Sequence, residues 1–363
     1  MISRIEDYLR DLALLPGLAG HEQKVAAYMK GKFENLGYPV QIDTFGNCIA
    51  RVSKIDNAPV VMAFAHMDSL GFMIRYIEED GFLRIERLGG IPEKVLSSTE
   101  VQVQCRDGSM VNGVIAVKAH HITPPEEKYV VDKYMSLFID IGAKSRQEVY
   151  DLGIDVGSPV IYRPNFTRLL HNRVLMSASD NRTGCAVILE MAHLLKEAKL
   201  SSTVYLVGSV QEEYNLRGAM MAARSIKPDM AFGVDGGGSA SDTPDLKGRG
   251  MVACGEGRVI SLYNFHGRGT LNGTIPHPAM VRLMEQAAQK TGVRLQRHAS
   301  IGGLTDLSYV QLEGTGVMSV DVGFPGRYTH SPHEFIDMDD IEGLTKVLLE
   351  AITAINPNMD RSR

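Results

Sequence analysis

The apolar positions of this chain follow two different periodicities. In residues 1–36 and again from residue 167 onward, apolar side chains recur roughly every three to four residues, which predicts amphipathic helices. Short uncharged runs rich in β-branched residues lie between the later helices and are typical of buried strands. Because strands that alternate with helices form parallel sheets, the predicted fold class is α/β, with a mostly parallel central sheet flanked by helices.

Turn and capping signals mark where these elements begin and end. A break between Pro16 and Gly20 separates two N-terminal helices, and Pro278 lies in the first turn of a later one. Further helices are predicted at 182–196, 219–225, 279–291 and 340–355, and strands at 39–42, 47–52, 59–65, 203–210, 230–234 and 316–321.

Residues 70–166 follow a different pattern of apolar and polar side chains. Apolar and polar side chains alternate there, as at 101–105, and turn signals such as Asp107-Gly108 and Asn112-Gly113 recur. This pattern predicts an antiparallel β-rich module with one solvated face. The predicted organisation is an α/β domain formed by residues 1–69 and 167–363 and interrupted by an inserted β-rich domain at 70–166.

Composition narrows the classes of protein that the chain can belong to. With 363 residues, 44% of them hydrophobic and 22% charged, the chain resembles an ordinary globular protein with room for two domains. The net charge of −5 without basic clusters argues against a nucleic-acid partner. We find neither a signal-like start nor an apolar run approaching the roughly 18 residues that span a membrane. Four widely spaced cysteines without a CxxC pair indicate a reducing compartment, so we expect a cytoplasmic location.

Acidic and imidazole side chains follow several of the predicted strands. Because open α/β sheets bind ligands at the carboxyl ends of their strands, we expect these side chains to lie at one edge of the sheet. They suit zinc, cobalt or manganese better than calcium, and their number exceeds what one zinc ion needs. Two metals about 3.5–4 Å apart that share one carboxylate would use them all. The candidates are His66, Asp68, Asp180, Glu212, Glu213, Asp235 and His330.

Each candidate also has a simpler interpretation. His66 taken alone is equally a buried core histidine, whereas Asp68 two residues later lies on the same side of an extended chain and can orient an imidazole ligand. Asp180 can cap the helix that follows it. Asp235 can serve a turn before glycines, and His330 can lie in a surface loop. The adjacent pair Glu212 and Glu213 is by itself typical of a solvated surface.

Five sequence strings together resemble a known family. They are Ala65-His-Met-Asp68, Asp180-Asn-Arg182, Gln211-Glu-Glu213, Gly233-Val-Asp235 and Arg327-Tyr-Thr-His330-Ser-Pro332. In this order and spacing they resemble the dinuclear metal-dependent aminopeptidases that assemble into tetrahedral dodecamers. That family includes glutamyl and deblocking aminopeptidases, and some members were formerly labelled endoglucanases. The resemblance covers essentially the whole chain.

The resemblance implies a role for each candidate residue. One metal would be bound by His66, Asp180 and Asp235, and the second by Asp180, Glu213 and His330, with Asp180 bridging. Glu212 would be the general base and Asp68 would orient His66. The resemblance also implies two divalent metal ions per subunit, with zinc favoured and cobalt or manganese as alternatives. It further implies peptide substrates and a homo-oligomer, a tetrahedral dodecamer built from dimers through the inserted domain.

Several positions depart from the family pattern. They are Ser69-Leu70, Tyr214-Asn215, the glycines after Asp235, and Leu304 within the 302–306 loop. None of these departures removes a ligand. Because the segments would flank the substrate pocket, they leave the substrate preference open.

The sequence therefore predicts a metal-dependent aminopeptidase that hydrolyses N-terminal residues from peptides through a water held by two metals. The enzymatic alternative is an amidohydrolase or deacylase that acts on small N-acyl substrates with the same dinuclear site. A glycosidase would instead need two carboxyl groups flanking a sugar bond and no metal. A non-enzymatic scaffold that keeps the fold is the remaining alternative.

Overall fold

The computed structural model describes residues 1–266 and 273–363, apart from the side chains of residues 237–239. The helices in these ranges are α1 (Ile2–Ala13), α2 (Gln23–Asn35), α3 (Arg146–Asp151), α4 (Ser179–Leu195), α5 (Gly218–Ile226), α6 (Pro278–Thr291), α7 (Leu307–Val310) and α8 (Met338–Ala354). Within the same ranges, none of the helices combines the length and apolar character needed to cross a membrane.

The strands fall into three groups. One group consists of β1 (Val40–Ile42), β2 (Cys48–Arg51), β3 (Val60–His66), β12 (Thr203–Ser209), β13 (Met230–Ser239), β14 (Arg258–Phe265), β15 (Gly273–Thr274), β16 (Leu295–Ile301) and β17 (Met318–Gly326). A second consists of β4 (Gly71–Ile77), β5 (Leu83–Leu88), β6 (Glu100–Gln104), β7 (Met110–Ile115), β8 (Phe138–Asp140) and β9 (Pro159–Tyr162). The third is β10 (Phe166–Arg168), β11 (Arg173–Met176) and β18 (Glu334–Asp337).

The first group forms a central sheet in the order β1-β2-β12-β3-β13-β17-β14-β15, with β16 also paired to β14. Its four middle strands, β12, β3, β13 and β17, run parallel to one another. Antiparallel pairing appears towards the edges, between β2 and β12 and between β14 and β17. The predicted fold class, a mostly parallel sheet flanked by helices with an antiparallel β-rich insertion, is confirmed.

Both faces of the sheet are covered by helices. In α1 the side chains of Ile5, Leu9 and Leu12 are fully buried, which reproduces the predicted helical spacing of apolar residues. They belong to one large core with α4, α6 and α8, whereas Leu307 of α7 and Ala219 of α5 pack in a smaller core on the opposite face. Strands buried on two faces carry apolar side chains in continuous runs, which explains the uncharged sequences that predicted them.

The second group of strands closes into an antiparallel barrel in the order β4-β5-β8-β7-β6-β9. The barrel has its own apolar core, which includes Phe72, Ile85, Val101 and Ile139. All six strands lie within the insertion expected at 70–166, although the boundaries assigned to the two domains stay a prediction.

Two central strands are longer than their apolar sequences predict. β13 was expected at 230–234 and continues to Ser239, and β17 was expected at 316–321 and continues to Gly326. The reason is that the two strands stay paired beyond their apolar residues, with Asp235 opposite Gly323 and Gly236 opposite Phe324. Asp235 therefore lies within a strand, and the alternative in which it serves a turn directly after residue 234 does not describe it.

Gly184 sets how closely α4 approaches the sheet. A Cβ at this position would lie 2.7 Å from the carbonyl oxygen of Val234 in β13 and 2.2 Å from Oδ1 of Asn181. We expect Gly184→Ala to lower the free energy of unfolding by about 1–3 kcal/mol, because the helix must shift away from the strand. Thermal unfolding checks this prediction.

Gly31 supplies the matched control, because it lies within α2 and a Cβ there would meet no atom within 4 Å. Gly31→Ala should stabilise the protein by about 0.5–1 kcal/mol through its effect on the unfolded chain and the helix. A melting temperature of Gly184→Ala equal to that of Gly31→Ala would contradict the packing role of Gly184.

Candidate metal centre

Three neighbouring parallel strands bring acidic and imidazole side chains to one edge of the sheet. His66 is the last residue of β3 and lies opposite Ser209, the last residue of β12. Glu212 and Glu213 follow the end of β12 after two intervening residues and lie beside His66. Asp235 comes from β13, which pairs with the other side of β3. The parallel register thus gathers residues that are far apart in sequence.

Asp180 and His330 reach the same place from outside the sheet edge. Asp180 lies near the start of α4, where its backbone is not helical (φ −80°, ψ 103°) and its peptide bond to Asn181 is cis. The predicted helix-cap interpretation therefore does not describe this residue. His330 lies in the loop between β17 and β18, as the sequence predicts.

The candidate ligands form overlapping groups of three, of which His66, Glu212 and Glu213 are one. Two further groups share Asp180, and the first of them surrounds the imidazole of His66. Its Nε2 atom is 3.0 Å from Oδ1 of Asp180, 3.7 Å from Oδ1 of Asp235 and 3.9 Å from Oε2 of Glu212. These are distances at which one small cation could replace the direct contacts, since the ligand atoms of His66, Asp180 and Asp235 all lie within 4.8 Å of one another.

The second cluster shares Asp180. The Nε2 atom of His330 is 3.4 Å from Oδ2 of Asp180 and 3.7 Å from Oε1 of Glu213. Ligand atoms of these three residues again lie within 4.8 Å of one another. Because the two oxygens of Asp180 face different imidazoles, this carboxylate bridges the two clusters.

The donors in these clusters fit divalent transition metals. Oxygen and imidazole nitrogen ligands together are typical of zinc, cobalt and manganese sites. One observation points directly to a missing partner, since Oε1 of Glu213 is buried and accepts no hydrogen bond among the described residues. A cation at this position would satisfy that oxygen.

Asp68 supports both clusters through backbone and side-chain contacts. The Nδ1 atom of His66 is 3.3 Å from the backbone oxygen of Asp68 and 3.4 Å from its Oδ1 atom. The same carboxylate accepts the backbone N–H groups of Glu212 and Glu213, each at 3.0 Å. Asp68 thus contacts His66 as predicted, and it also fixes the turn that carries the two glutamates, which the sequence did not indicate.

Glu334 is a supporting residue that the sequence interpretation missed. Its Oε2 atom accepts the backbone N–H of Asp180 at 2.8 Å, and its Oε1 atom accepts that of His330 at 2.6 Å. One buried carboxylate therefore positions two of the candidate ligands. The only sequence signal for this role is that Glu334 follows His330 by four residues.

The inserted barrel also contributes to the centre. The Nδ1 atom of His330 is 2.7 Å from the carbonyl oxygen of Gly90, which lies in the loop after β5. A carbonyl can only accept, so Nδ1 carries the proton and donates it to Gly90. Nε2 faces Asp180 and Glu213, so a metal that displaces the proton from Nε2 would find its lone pair directed at the second cluster.

Burial and crowding of like charges shift the acidities of these groups. Burial raises the pKa of Glu213 to about 7 and raises the pKa values of Glu212 and Asp235 well above their ordinary range. Burial alone would lower the pKa of His330, but the hydrogen bond to Asp180 and the charge of Glu213 raise it to about 10. Burial alone would raise the pKa of Asp180, but the two imidazoles lower it. The centre therefore retains protons that bound metals would displace.

Further buried charges lie directly behind the ligands. Glu22 accepts the backbone N–H groups of Gly20 and Gln211, and burial together with the charge of Asp68 raises its pKa to about 7. Arg182 is fully buried and donates to the carbonyl oxygens of Leu12 and Gly17. Its positive charge lies near Asp68 and Glu22 and partly balances the acidic centre.

Sequence comparison identifies the family to which this arrangement belongs. The profile described as M42 glutamyl aminopeptidase matches residues 46–347. The chain belongs to the M42 glutamyl aminopeptidase family. This membership confirms the predicted resemblance and the predicted aminopeptidase activity, so the protein is a peptide hydrolase. It does not favour the deacylase alternative.

Individual M42 relatives match over nearly the whole chain. SgcX of Escherichia coli (strain K12), provisionally named an aminopeptidase, is 38% identical over 347 residues, covering 95% of this chain and 92% of SgcX. Aminopeptidase APDkam598 from the archaeon Desulfurococcus kamchatkensis superimposes with a TM-score of 0.91 at 31% identity, covering 99% and 97% of the two chains. The TET1 peptidase of Pyrococcus horikoshii, which can assemble into a tetrahedron or a large octahedral shell, gives a TM-score of 0.84 at 26% identity and coverage of 96% and 99%.

The raised pKa values of the buried carboxyl groups predict how the stability of the metal-free protein depends on pH. Glu213 and Glu334 have pKa values of about 7 and about 8 in the folded protein and 4.5 in the unfolded chain. The folded state therefore binds more protons, so its stability is greatest below the unfolded pKa and falls as the pH rises through the folded values. We expect the melting temperature after chelation to decrease between about pH 5 and about pH 8.

Zinc should reverse this trend, because metals displace the same protons and bind more tightly at higher pH. The gain in melting temperature on adding zinc should therefore increase with pH, and calcium at equal concentration serves as the control for a non-specific ionic effect. A zinc-induced gain that is independent of pH would contradict the assignment.

Proposed function

We propose that the protein is a dinuclear metallo-aminopeptidase that removes N-terminal residues from peptides, with Glu212 as the general base. The observation that supports this most is the pair of three-residue clusters that share Asp180 and lie beside Glu212. His66, Asp180 and Asp235 would hold one metal, and Asp180, Glu213 and His330 the other. Zinc suits these donors best, and cobalt and manganese suit them as well.

In the proposed reaction, bound divalent ions supply an acidified water and polarise the scissile carbonyl group. Glu212 accepts a proton from the attacking water and transfers it to the leaving amine. Burial raises the pKa of Glu212, so this carboxyl group holds a proton more readily than an exposed glutamate does. The bond from Asp68 to the backbone N–H of Glu212 keeps this carboxyl group beside His66.

We also propose that the barrel at 70–166 is a dimerisation domain and that the dimers assemble into a tetrahedral dodecamer. Its support is a group of exposed apolar side chains on the segment between β7 and β8: Ile122 is 68% exposed, Tyr129 96% and Val130 65%. Large apolar side chains that are exposed close together in sequence are compatible with a protein interface. We propose a cytoplasmic location on the basis of four buried, free cysteines.

The proposed activity is tested with amino-acid p-nitroanilides and their N-acetylated counterparts, with zinc, cobalt or manganese added after chelation. We expect turnover of the unblocked compounds only, because the free amino group is bound at the centre, and loss of turnover with chelator. Hydrolysis restricted to the acetylated compounds would favour the deacylase alternative. A native mass measurement in parallel should correspond to twelve chains of 39.8 kDa.

The roles of the two adjacent glutamates are separable by mutation. Glu212→Gln should keep bound metal and lose about 10²–10⁴-fold in kcat, because it removes the proton-transferring group. Glu213→Gln should lose metal first, because it removes a ligand. Metal content by mass spectrometry and turnover at saturating zinc check both expectations. Retention of both metal and activity in the two variants would contradict the assignment.

A further inference from the structure

A cavity of about 80 Å³ lies next to the candidate metal centre. Asp235 and Gly236 are among the residues that line it, so it lies beside the first ligand cluster. Val259 and Ser261 of β14 and Asp321 of β17 also line it. The cavity has no assigned role in metal binding or in proton transfer.

Two buried polar atoms in this cavity lack hydrogen-bond partners among the described residues. They are Oδ1 of Asp321 and Oγ of Ser261, whose residues are each only 5% exposed. The two residues are directly opposite each other in the pairing of β17 with β14, so their side chains project from the same face of the sheet. Buried polar atoms are normally paired, so this arrangement points to a ligand that supplies hydrogen-bond donors.

The carboxylate of Asp321 is held in place for such a ligand. Thr305, which also lines the cavity, donates its hydroxyl hydrogen to Oδ2 at 2.8 Å. The opposite oxygen, Oδ1, accepts no hydrogen bond of ordinary geometry among the described residues, although the hydroxyl group of Thr274 lies near enough to this carboxyl group to lower its pKa. None of the described residues that line the cavity is a lysine or arginine, so the acid has no cationic side chain beside it there.

The depth of the cavity matches a long basic side chain. Gly323 pairs with Asp235, and Asp321 lies two residues away along β17, which is roughly 7 Å along a strand. Lysine carries its ammonium group on a four-carbon stem, which spans a depth of this order. Val259 offers an apolar wall for the stem, and Gly236 and Gly303 leave space because a Cβ at either would meet no atom within 4 Å.

We propose that this cavity receives the side chain of the substrate's N-terminal residue and that Asp321 selects a basic one, lysine or arginine. The inference rests on the proposed function, because a free amino group bound at the metal centre places the adjoining side chain beside Asp235. The ammonium or guanidinium group donates to Oδ1 of Asp321. An acidic floor disfavours glutamate, despite the description of the family as glutamyl aminopeptidases.

The test compares lysine with norleucine, which has the same stem length and no charge. With the zinc-loaded protein, the p-nitroanilide of lysine should be cleaved with a kcat/KM at least about tenfold above that of norleucine, since a buried charged hydrogen bond is lost with norleucine. The glutamate anilide should be the poorest of the three. Equal values for lysine and norleucine would overturn the proposal.

Asp321→Asn tests the residue itself, because asparagine keeps the shape and removes the charge. The ratio of the lysine to the norleucine kcat/KM should fall by about tenfold or more. Asp56→Asn, at an exposed position in the loop before β3, is the matched control and should leave the ratio unchanged. An unchanged ratio in Asp321→Asn would overturn the role of Asp321.

A binding measurement separates this inference from the proposed function. Calorimetric titration of the zinc-loaded protein with the hydroxamates of lysine and norleucine should give about tenfold tighter binding of the lysine compound. Absence of turnover on every anilide would contradict the proposed function. The ratio of the two hydroxamate affinities would still decide the selectivity of the cavity, and equal affinities would overturn it.

Discussion

The gathering of negative charge at one sheet edge is the constraint on which the rest of this structure depends. Asp180, Glu212, Glu213 and Asp235 are packed around His66 and within a few ångströms of one another. Buried like charges repel strongly unless protons or cations lie between them. The fold holds them together because parallel strands end at a common edge and large apolar cores on both faces stabilise those strands.

The groups behind the ligands are arranged to fix them without competing for the cations. Asp68 and Glu334 are both acids, yet each accepts backbone N–H groups from the segments that carry ligands. Each of these acids orients the segments that carry the candidate ligands. Unlike a lysine or an arginine, neither acid places a positive charge next to the centre. Arg182, whose side chain is fully buried, lies behind this layer.

Most of the sheet could be predicted from the sequence, and the candidate ligands named from it lie close together in the structure, although their roles as ligands stay a prediction. Buried strands leave uncharged runs, and a histidine or an acid directly after such a run, as at His66 and Glu212, is visible without a structure. Residues whose roles depend on pairing between distant segments could not be predicted. Asp235 lies within β13 because that strand stays paired with β17. Glu334 accepts backbone N–H groups from two segments that are far apart in sequence. Asp321 lies opposite Ser261 only because β17 pairs with β14.

The hydrogen bond from His330 to Gly90 makes the inserted barrel a structural part of the catalytic domain. The barrel has its own apolar core and its strands pair with one another in a closed sheet, so it resembles an independent unit. Yet the protonation of one candidate ligand depends on a carbonyl group that the barrel supplies. A displacement of the barrel that moves Gly90 would therefore also move His330, one of the candidate ligands.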